Sequence, residues 1–380
     1  MRKPPWLLGA VLAATLVAAA TTAAVTRRGT VPREHARHTD PRPRHHAPKH
    51  RAPRSVEIAA VGDMTFGRAG SHPAGGASSL VARVKWALRG DLTVGNLETT
   101  LGSGGYSKCP RGRSKTCFAF QAPAGTAGAL RQAGFAAVNV ANNHGDDYGA
   151  EGIRETGAAL RSARLAFTGR PGQITYVVRR GVKVALLGFA PYRYDEDLLD
   201  IGSATRLVRR AAQRADIVIV FIHAGAEGSA YQHVRAGMET YLGELRGDPL
   251  RFAHAVVDAG ADVVLGSGPH VLRGMEWYRG RLIAYSLGNF VGYHTLDTTG
   301  VLGTGAVLRL RLDDDGSFVT GSLIPVRLDA SGMPSRDPAA RAIALVSSLS
   351  HADFGATEVR LSRTGTLLGS LTQGPGGTGR

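Results

Sequence analysis

The sequence predicts an α/β fold, on three observations. Short apolar, β-branched runs alternate with helical stretches along most of the chain, which is how a largely parallel sheet packed by helices is built. Five of these runs end abruptly in tight loops carrying Asp, Glu, Asn or His: IAAVGDM at Asp63, LTVGNLE at Glu98, VNVANNH at Asn143 and His144, IVIVFIHAG at His223, and VVLGSGPH at His270. Ligands gather beyond the carboxyl ends of the strands in such sheets, so five strand ends bearing metal-type side chains read as a constructed site. After about residue 274 turns such as YRGR and DDDGS replace helices as connections, which predicts a second, more antiparallel sheet merging with the first.

The elements follow in order. Arg2 and Lys3 precede residues 6–25, twenty residues without a charge. As a helix these would span roughly 30 Å, the thickness of a bilayer core. The positive amino end favours an orientation that sends the rest across the membrane. Ala18, Ala19 and Ala20 leave a cleaved signal peptide open. The length of the run favours an uncleaved single-pass anchor over residues 1–26, and either way the body is expected outside the cytoplasm. Residues 27–54 are rich in Pro, Arg and His and nearly devoid of apolar side chains, so they read as a disordered basic tether near anionic headgroups. The body then predicts strands at 56–61, 92–95, 138–140, 217–222 and 263–265. Helices are predicted at 80–88, 124–133, 151–161, 204–214 and 249–259. A hairpin is expected from 175–178 and 183–189, and further strands at 274–278, 282–286, 305–312 and 318–327. A helix near 339–348 precedes a Gly-rich, loose tail from about Gly365.

The formal charge of +16 is concentrated at the start, since eleven of the 46 Lys and Arg but only two of the 30 acids fall in residues 1–54, leaving +7 for the body. That excess is compatible with a polyanion or a membrane surface, and the chain carries no nucleic-acid motif. Cys109 and Cys117 are the only cysteines; eight apart in a polar loop of an oxidising compartment, they predict a disulfide.

The loop tips form a mixed oxygen and nitrogen donor set that suits Mn, Zn, Fe or Mg. Asp63 and Glu98 offer carboxylates, Asn143 a neutral oxygen, His223 and His270 imidazoles, and His144 a proton donor to a leaving group. Arg68 and Arg273 lie near these loops, where they either clamp a carboxylate or phosphate or remain solvated. Tyr285, Leu287 and Phe290 read as core.

The segments GDMTFGR, NLE, NVANNHGDDYGAEG, HAGAE and GADVVLGSGPHVLRGMEWYRGRLIAYSLGNF together resemble the bacterial CapA proteins of poly-γ-glutamate capsule synthesis, relatives of the calcineurin-type metallophosphoesterases. The likeness covers roughly residues 55–330, followed by a C-terminal helix and tail over 331–380. It implies a four-layer α/β/β/α sandwich holding one or two divalent ions. On that likeness Asp63 stands at the first ligand carboxylate and Glu98 at the bridging carboxylate. Asn143 and His144 stand at the ligand Asn and catalytic His, His223 at the isolated ligand His, and His270 at the last His of a His-x-His pair. Asn142, Glu227 and Asn289 fall in motifs that line the pocket. Two departures stand out: Met64 and Thr65 follow Asp63 where a second-position His is usual, and Gly268 replaces the first His of the pair, which puts a second ion in doubt. The resemblance implies an anionic polymer such as poly-γ-glutamate as partner, and a lone anchor with a large outer body is consistent with a complex with other capsule-synthesis membrane proteins. Two function classes stay open: a metal-dependent hydrolase or transferase, and a non-catalytic polymer-binding or export component.

Overall fold

The computed structural model describes residues 54–68, 70–109 and 117–368. The apolar segment 6–25, the tether up to residue 53 and the chain from 369 onward lie outside the described residues. Among the described residues no helix is long and apolar enough to cross a membrane.

Two mixed sheets carry the body. The first runs Pro334–Arg336, Phe318–Leu328, Thr304–Asp313, Ser55–Thr65, Leu92–Leu97, Phe135–Asn139 and Ala166–Thr168, with Asn289–Gly292 paired to the far end of Ser55–Thr65. Its centre is parallel: Ser55–Thr65, Leu92–Leu97, Phe135–Asn139 and Ala166–Thr168 all run the same way. The second runs Met275–Tyr278, Arg281–Ala284, Val263–Ser267, Ile217–His223, Val182–Phe189 and Thr175–Arg179. It too is parallel at its centre. The strands after residue 274 therefore do not form a sheet of their own. The pair 275–284 extends the second sheet, while Thr304–Asp313 and Phe318–Leu328 extend the first beside Ser55–Thr65. A hairpin's turn residues fix only the pairing inside it; which open sheet edge receives the hairpin is decided by long-range packing.

Strand alternation sorts the core into layers. Ile58, Ala60, Leu92 and Val94 of the first sheet share one cluster with Val184, Leu186, Ile219 and Val263 of the second, so the sheets pack face to face. The opposite side of the first sheet, through Ala59 and Val61, packs on Leu80 of helix α1 (Gly76–Ala82), Leu130 of α2 (Thr126–Ala133) and Leu160 of α3 (Gly149–Ser162). The outer side of the second, through Val218, Val220 and Ile222, packs on Leu207 of α4 (Ile201–Ala212) and Phe252 of α5 (Pro249–Asp258). Helix α6 (Arg341–Phe354) sends Ala342 and Val346 into the core between the sheets, so the segment after residue 330 belongs to the same body.

Local chemistry sets the helix ends. Asp200 and Asp248 cap α4 and α5 through Ser203 N and Arg251 N, and Pro249 occupies the first turn of α5. Gly134 ends α2 with φ 109°. Helix α1 is shorter than the expected 80–88, because residues 83–88 close by successive i to i−3 bonds instead of α-helical ones. The tail is ordered further than expected: Leu367–Leu368 pairs with Arg360–Leu361, and Leu367 is buried.

Candidate metal centre

Register brings the strand ends together. On the parallel strands Asp63 lies beside Asn96, Asn96 beside Asn139, and Asn289 pairs Asp63 from the other side. A bulge at Gly62 re-aims Asp63. Glu98 follows Leu92–Leu97 immediately and donates its N–H to Met64 O at 3.0 Å. From the second sheet, His223 is the last residue of its strand and sits opposite Ser267. His270 comes three residues later with φ 60°.

The side chains converge. Glu98 Oε1 is 3.7 Å from both His223 Nε2 and His270 Nε2, and one donor atom each from Asp63, Glu98 and His223 lie within 4.8 Å of one another. Asp63 Oδ1 accepts from Asn96 Nδ2 at 2.8 Å, and Oδ2 accepts from Gly268 N at 3.2 Å with His270 Nδ1 also at 3.2 Å. Asn289 Oδ1 lies 3.0 Å from His270 Nδ1. Both Glu98 oxygens, His223 Nε2 and Asn143 Oδ1 are buried without a hydrogen-bond partner among the described residues. Buried polar atoms are rarely left unpaired in native proteins, and donors sharing one ion at about 2.1 Å lie about 3–4 Å apart. These residues therefore fit a divalent cation.

The electrostatics agree with a site built for positive charge. Burial, reinforced by repulsion from Asp63, raises Glu98 well above the ordinary carboxylate range. Burial takes His223 down to about 3. For His270 burial works the other way from its neighbours: the charges of Glu98 and Asp63, the Asp63 hydrogen bond and Glu227 overcome it and carry His270 to about 10. Burial would raise Asp63, but the hydrogen bond and charge of His270 hold it low. The two acids and the two imidazoles thus perturb one another strongly, as groups crowded into one buried site do.

His144 stands beside this cluster. Its Nδ1 is 2.7 Å from Asp147 Oδ2, which also accepts from Phe120 N, while Lys108 Nζ is 2.7 Å from Asp147 Oδ1. The Phe120 ring lies against the imidazole, with centroids 4.3 Å apart. Burial depresses His144, with Asp147 pulling against it. A cavity of roughly 350 Å³ opens beside His144, His270, Glu227 and Asn289, walled by Phe118, Phe120 and Tyr241. The Cys109–Cys117 disulfide is formed, with Cα atoms 5.6 Å apart, between Lys108 and Phe118.

Two expected pocket residues, Arg273 and Asn142, do not line the cavity, and Arg68 stays solvated at its edge. Arg273 is wholly buried, and its guanidinium is spent on Glu239 through two bonds of 2.8 Å and on Tyr231 O, so it holds the loop carrying Glu227 and has no free face for an anion. Asn142 is turned inward, donating to Leu97 O and accepting from His144 N, and shapes the loop from beneath. Arg68 is exposed at the rim, 5.8 Å over the Phe118 ring. Glu227 and Asn289 do line the cavity. Sequence reasoning missed Asn96, Asn139 and Arg246. It also missed Asp147, whose i+3 spacing from His144 was a readable signal.

The strand-end cluster and paired sheets define a mixed α/β protein with a candidate metal-binding edge. Residues 57–294 match the family described as Bacterial capsule synthesis protein PGA_cap, and the chain belongs to that family. Similar proteins include the "Capsule biosynthesis protein CapA" of Bacillus anthracis, 33% identical over 44% of this chain and 42% of the relative. The "PGA biosynthesis protein CapA" of Bacillus subtilis is 31% identical over 43% and 44% respectively. Each match thus spans less than half the length of the relative. A 5'-nucleotidase precursor from Thermus thermophilus aligns in structure over 79% of this chain and 59% of its own, with 13% identity and a TM-score of 0.41.

Proposed function

We propose that this is a membrane-anchored, extracytoplasmic CapA-like protein of capsule or poly-γ-glutamate biosynthesis, with a metal-dependent hydrolase or transferase site of metallophosphoesterase type. The printed names of the two Bacillus relatives support the biosynthetic role. One observation carries the chemistry: both Glu98 oxygens are buried and unpartnered among the described residues, with Oε1 facing His223 Nε2 and His270 Nε2 at 3.7 Å.

The ion would be held by Asp63, Glu98, His223 and His270, with Asn143 supplying a neutral oxygen. A bound divalent ion supplies Lewis-acid polarisation of an ester or amide oxygen and lowers the pKa of bound water. The remaining work falls to the chain itself. Asp147 holds His144 by Nδ1, which leaves Nε2 for proton transfer in the cavity. Phe120 packs against the ring. Phe118 and Tyr241 wall the space where an acyl or ester group would lie.

A second reading, a polymer-binding component without turnover, draws on Gly268. Gly268 has no side chain to offer an ion, and only its backbone N–H reaches the cluster, donating to Asp63 Oδ2. Plasma-emission analysis of the purified full-length protein separates the two. About one or more ions per chain, with activity lost and metal retained in His144→Ala, supports the enzyme. Metal-free protein whose Tm does not rise with Mn²⁺ or Zn²⁺ refutes it.

A further inference from the structure

Arg246 is the least accounted-for charge near the site. It is 3% exposed, and its Nε and Nη1 have no hydrogen-bond partner among the described residues. The guanidinium instead lies over the rings of Tyr241 and Tyr192, at 5.6 and 6.0 Å, where cation–π attraction stands in for those bonds. Its Nη2 reaches Glu227 Oε1 at 2.7 Å and Glu244 Oε2 at 3.4 Å. A buried guanidinium fixed this firmly fixes whatever carboxylate it grips.

That carboxylate faces Asn143, whose Nδ2 is 3.3 Å from Glu227 Oε1. An asparagine amide can present either its NH₂ or its oxygen, and the two are nearly alike in shape. An ionised carboxylate only accepts, so it meets the NH₂ and repels the oxygen. The other end of the amide, Oδ1, is the end left buried and unpartnered. We propose that Arg246 and Glu227 are positioning residues that lock the Asn143 amide with its oxygen free for the bound ion. This rests on the metal reading above and adds to it an outer layer of support supplied by the Glu239–Gly247 hairpin. The loop of Glu227 is tied down independently, since Gly225 N donates to Arg246 O and Gly228 N to Pro269 O, next to His270. Groups that orient metal ligands in this way are commonly worth about 10–100-fold in affinity.

The test is Mn²⁺ titration by calorimetry of the full-length wild type, Arg246→Met, Arg246→Lys, Asn143→Ala and the Asn143→Ala/Arg246→Met double variant, with each metal-free Tm recorded. The expected result is about a 10–100-fold weaker Kd for Arg246→Met. Arg246→Lys should recover part of that loss, and Arg246→Met should have less than about a twofold further effect once Asn143 is already Ala. If Arg246→Met does not fold, Glu227→Leu replaces it in the same cycle. Unchanged affinity in Arg246→Met, or an equal loss in the Asn143→Ala background, overturns the positioning role while leaving the metal centre standing. A wild type that takes up no ion overturns the centre itself and this inference with it.

Discussion

Glu98→Gln separates a ligand from a structural carboxylate, because the two roles predict opposite signs. Glu98 is fully buried and both of its oxygens lack partners among the described residues. An unsatisfied buried polar group costs about 1–3 kcal/mol, so in metal-free protein this residue is a liability. Its raised pKa gives the sign with pH. The folded protein binds the proton more tightly than the unfolded chain, so the contribution of Glu98 is full below the ordinary value of 4.5 and is lost as pH rises through the raised value. Gln keeps the shape and removes that loss. Metal-free Glu98→Gln should therefore be as stable as wild type at pH 7 or up to about 2 kcal/mol more stable.

With the ion the order reverses. Mn²⁺ at about a thousand times its Kd adds about 4 kcal/mol to wild type, or about 8 °C at roughly 2 °C per kcal/mol. A hundredfold loss of affinity leaves about 1.4 kcal/mol of that, or about 3 °C. Scanning calorimetry of both proteins with and without Mn²⁺ reads all four values. A metal-free Tm that falls in Glu98→Gln, with the Mn²⁺ increment intact, would show a carboxylate serving the fold and would refute the ligand assignment.

Three more outcomes are expected. Gly268→Ala should lose about 1–3 kcal/mol, because φ is 108° and a Cβ would stand 3.1 Å from Ala224 N and 3.2 Å from His223 Nε2; Gly268→His should add no second ion by stoichiometry, since its side chain starts against that ring. Asp147→Asn should destabilise by about 1–3 kcal/mol in denaturant titration while retaining metal, since it weakens acceptance from His144 and Phe120 N and removes the ion pair with Lys108. Far from the site, burial opposes the charge of Glu276, but bonds from His254, Tyr285 and Thr357 win and lower it. Its contribution is thus present above 4.5 and lost as pH falls through the depressed value, so the Tm gap between wild type and Glu276→Gln should narrow from pH 7 to pH 3.

The sequence exposed the tips of the site and hid its frame. Asp63, Glu98, His223 and His270 were legible because each ends an apolar run, and a polar residue at such a boundary is a local signal. Asn96 and Asn139 were not, because each is followed directly by an apolar residue and reads as an ordinary interruption of its run. Their meaning comes from parallel register, which sets Asn139 Nδ2 against Asn96 Oδ1 at 2.9 Å and Asn96 Nδ2 against Asp63. Arg273 misled through proximity in sequence to His270, although its side chain leaves in the direction of Glu239. Arg246 carried no local signal, since its hairpin looks like a polar loop until Tyr192 and Tyr241 close over it.

Two motifs that look separate in the sequence are one feature in space. Ser55–Thr65 carries GDM, and residues 286–290 carry SLGNF, where the chain leaves the second sheet at Ala284 and joins the first at Asn289. The crossing demands near contact: a Cβ on Gly62 would stand 1.9 Å from Gly288 O, and Asp63 N donates to that same oxygen at 2.9 Å. Glycine at 62 is thus required by the partner backbone, and the crossing places Asn289 where it meets His270. The donors divide along this seam, Asp63, Glu98 and Asn143 coming from the first sheet's strand ends and His223 and His270 from the second's. An ion held by both groups would tie the sheets together at one edge. Its stabilisation should then appear as a shift of the whole unfolding transition rather than of one sheet, because neither half of the donor set survives when the sheets part.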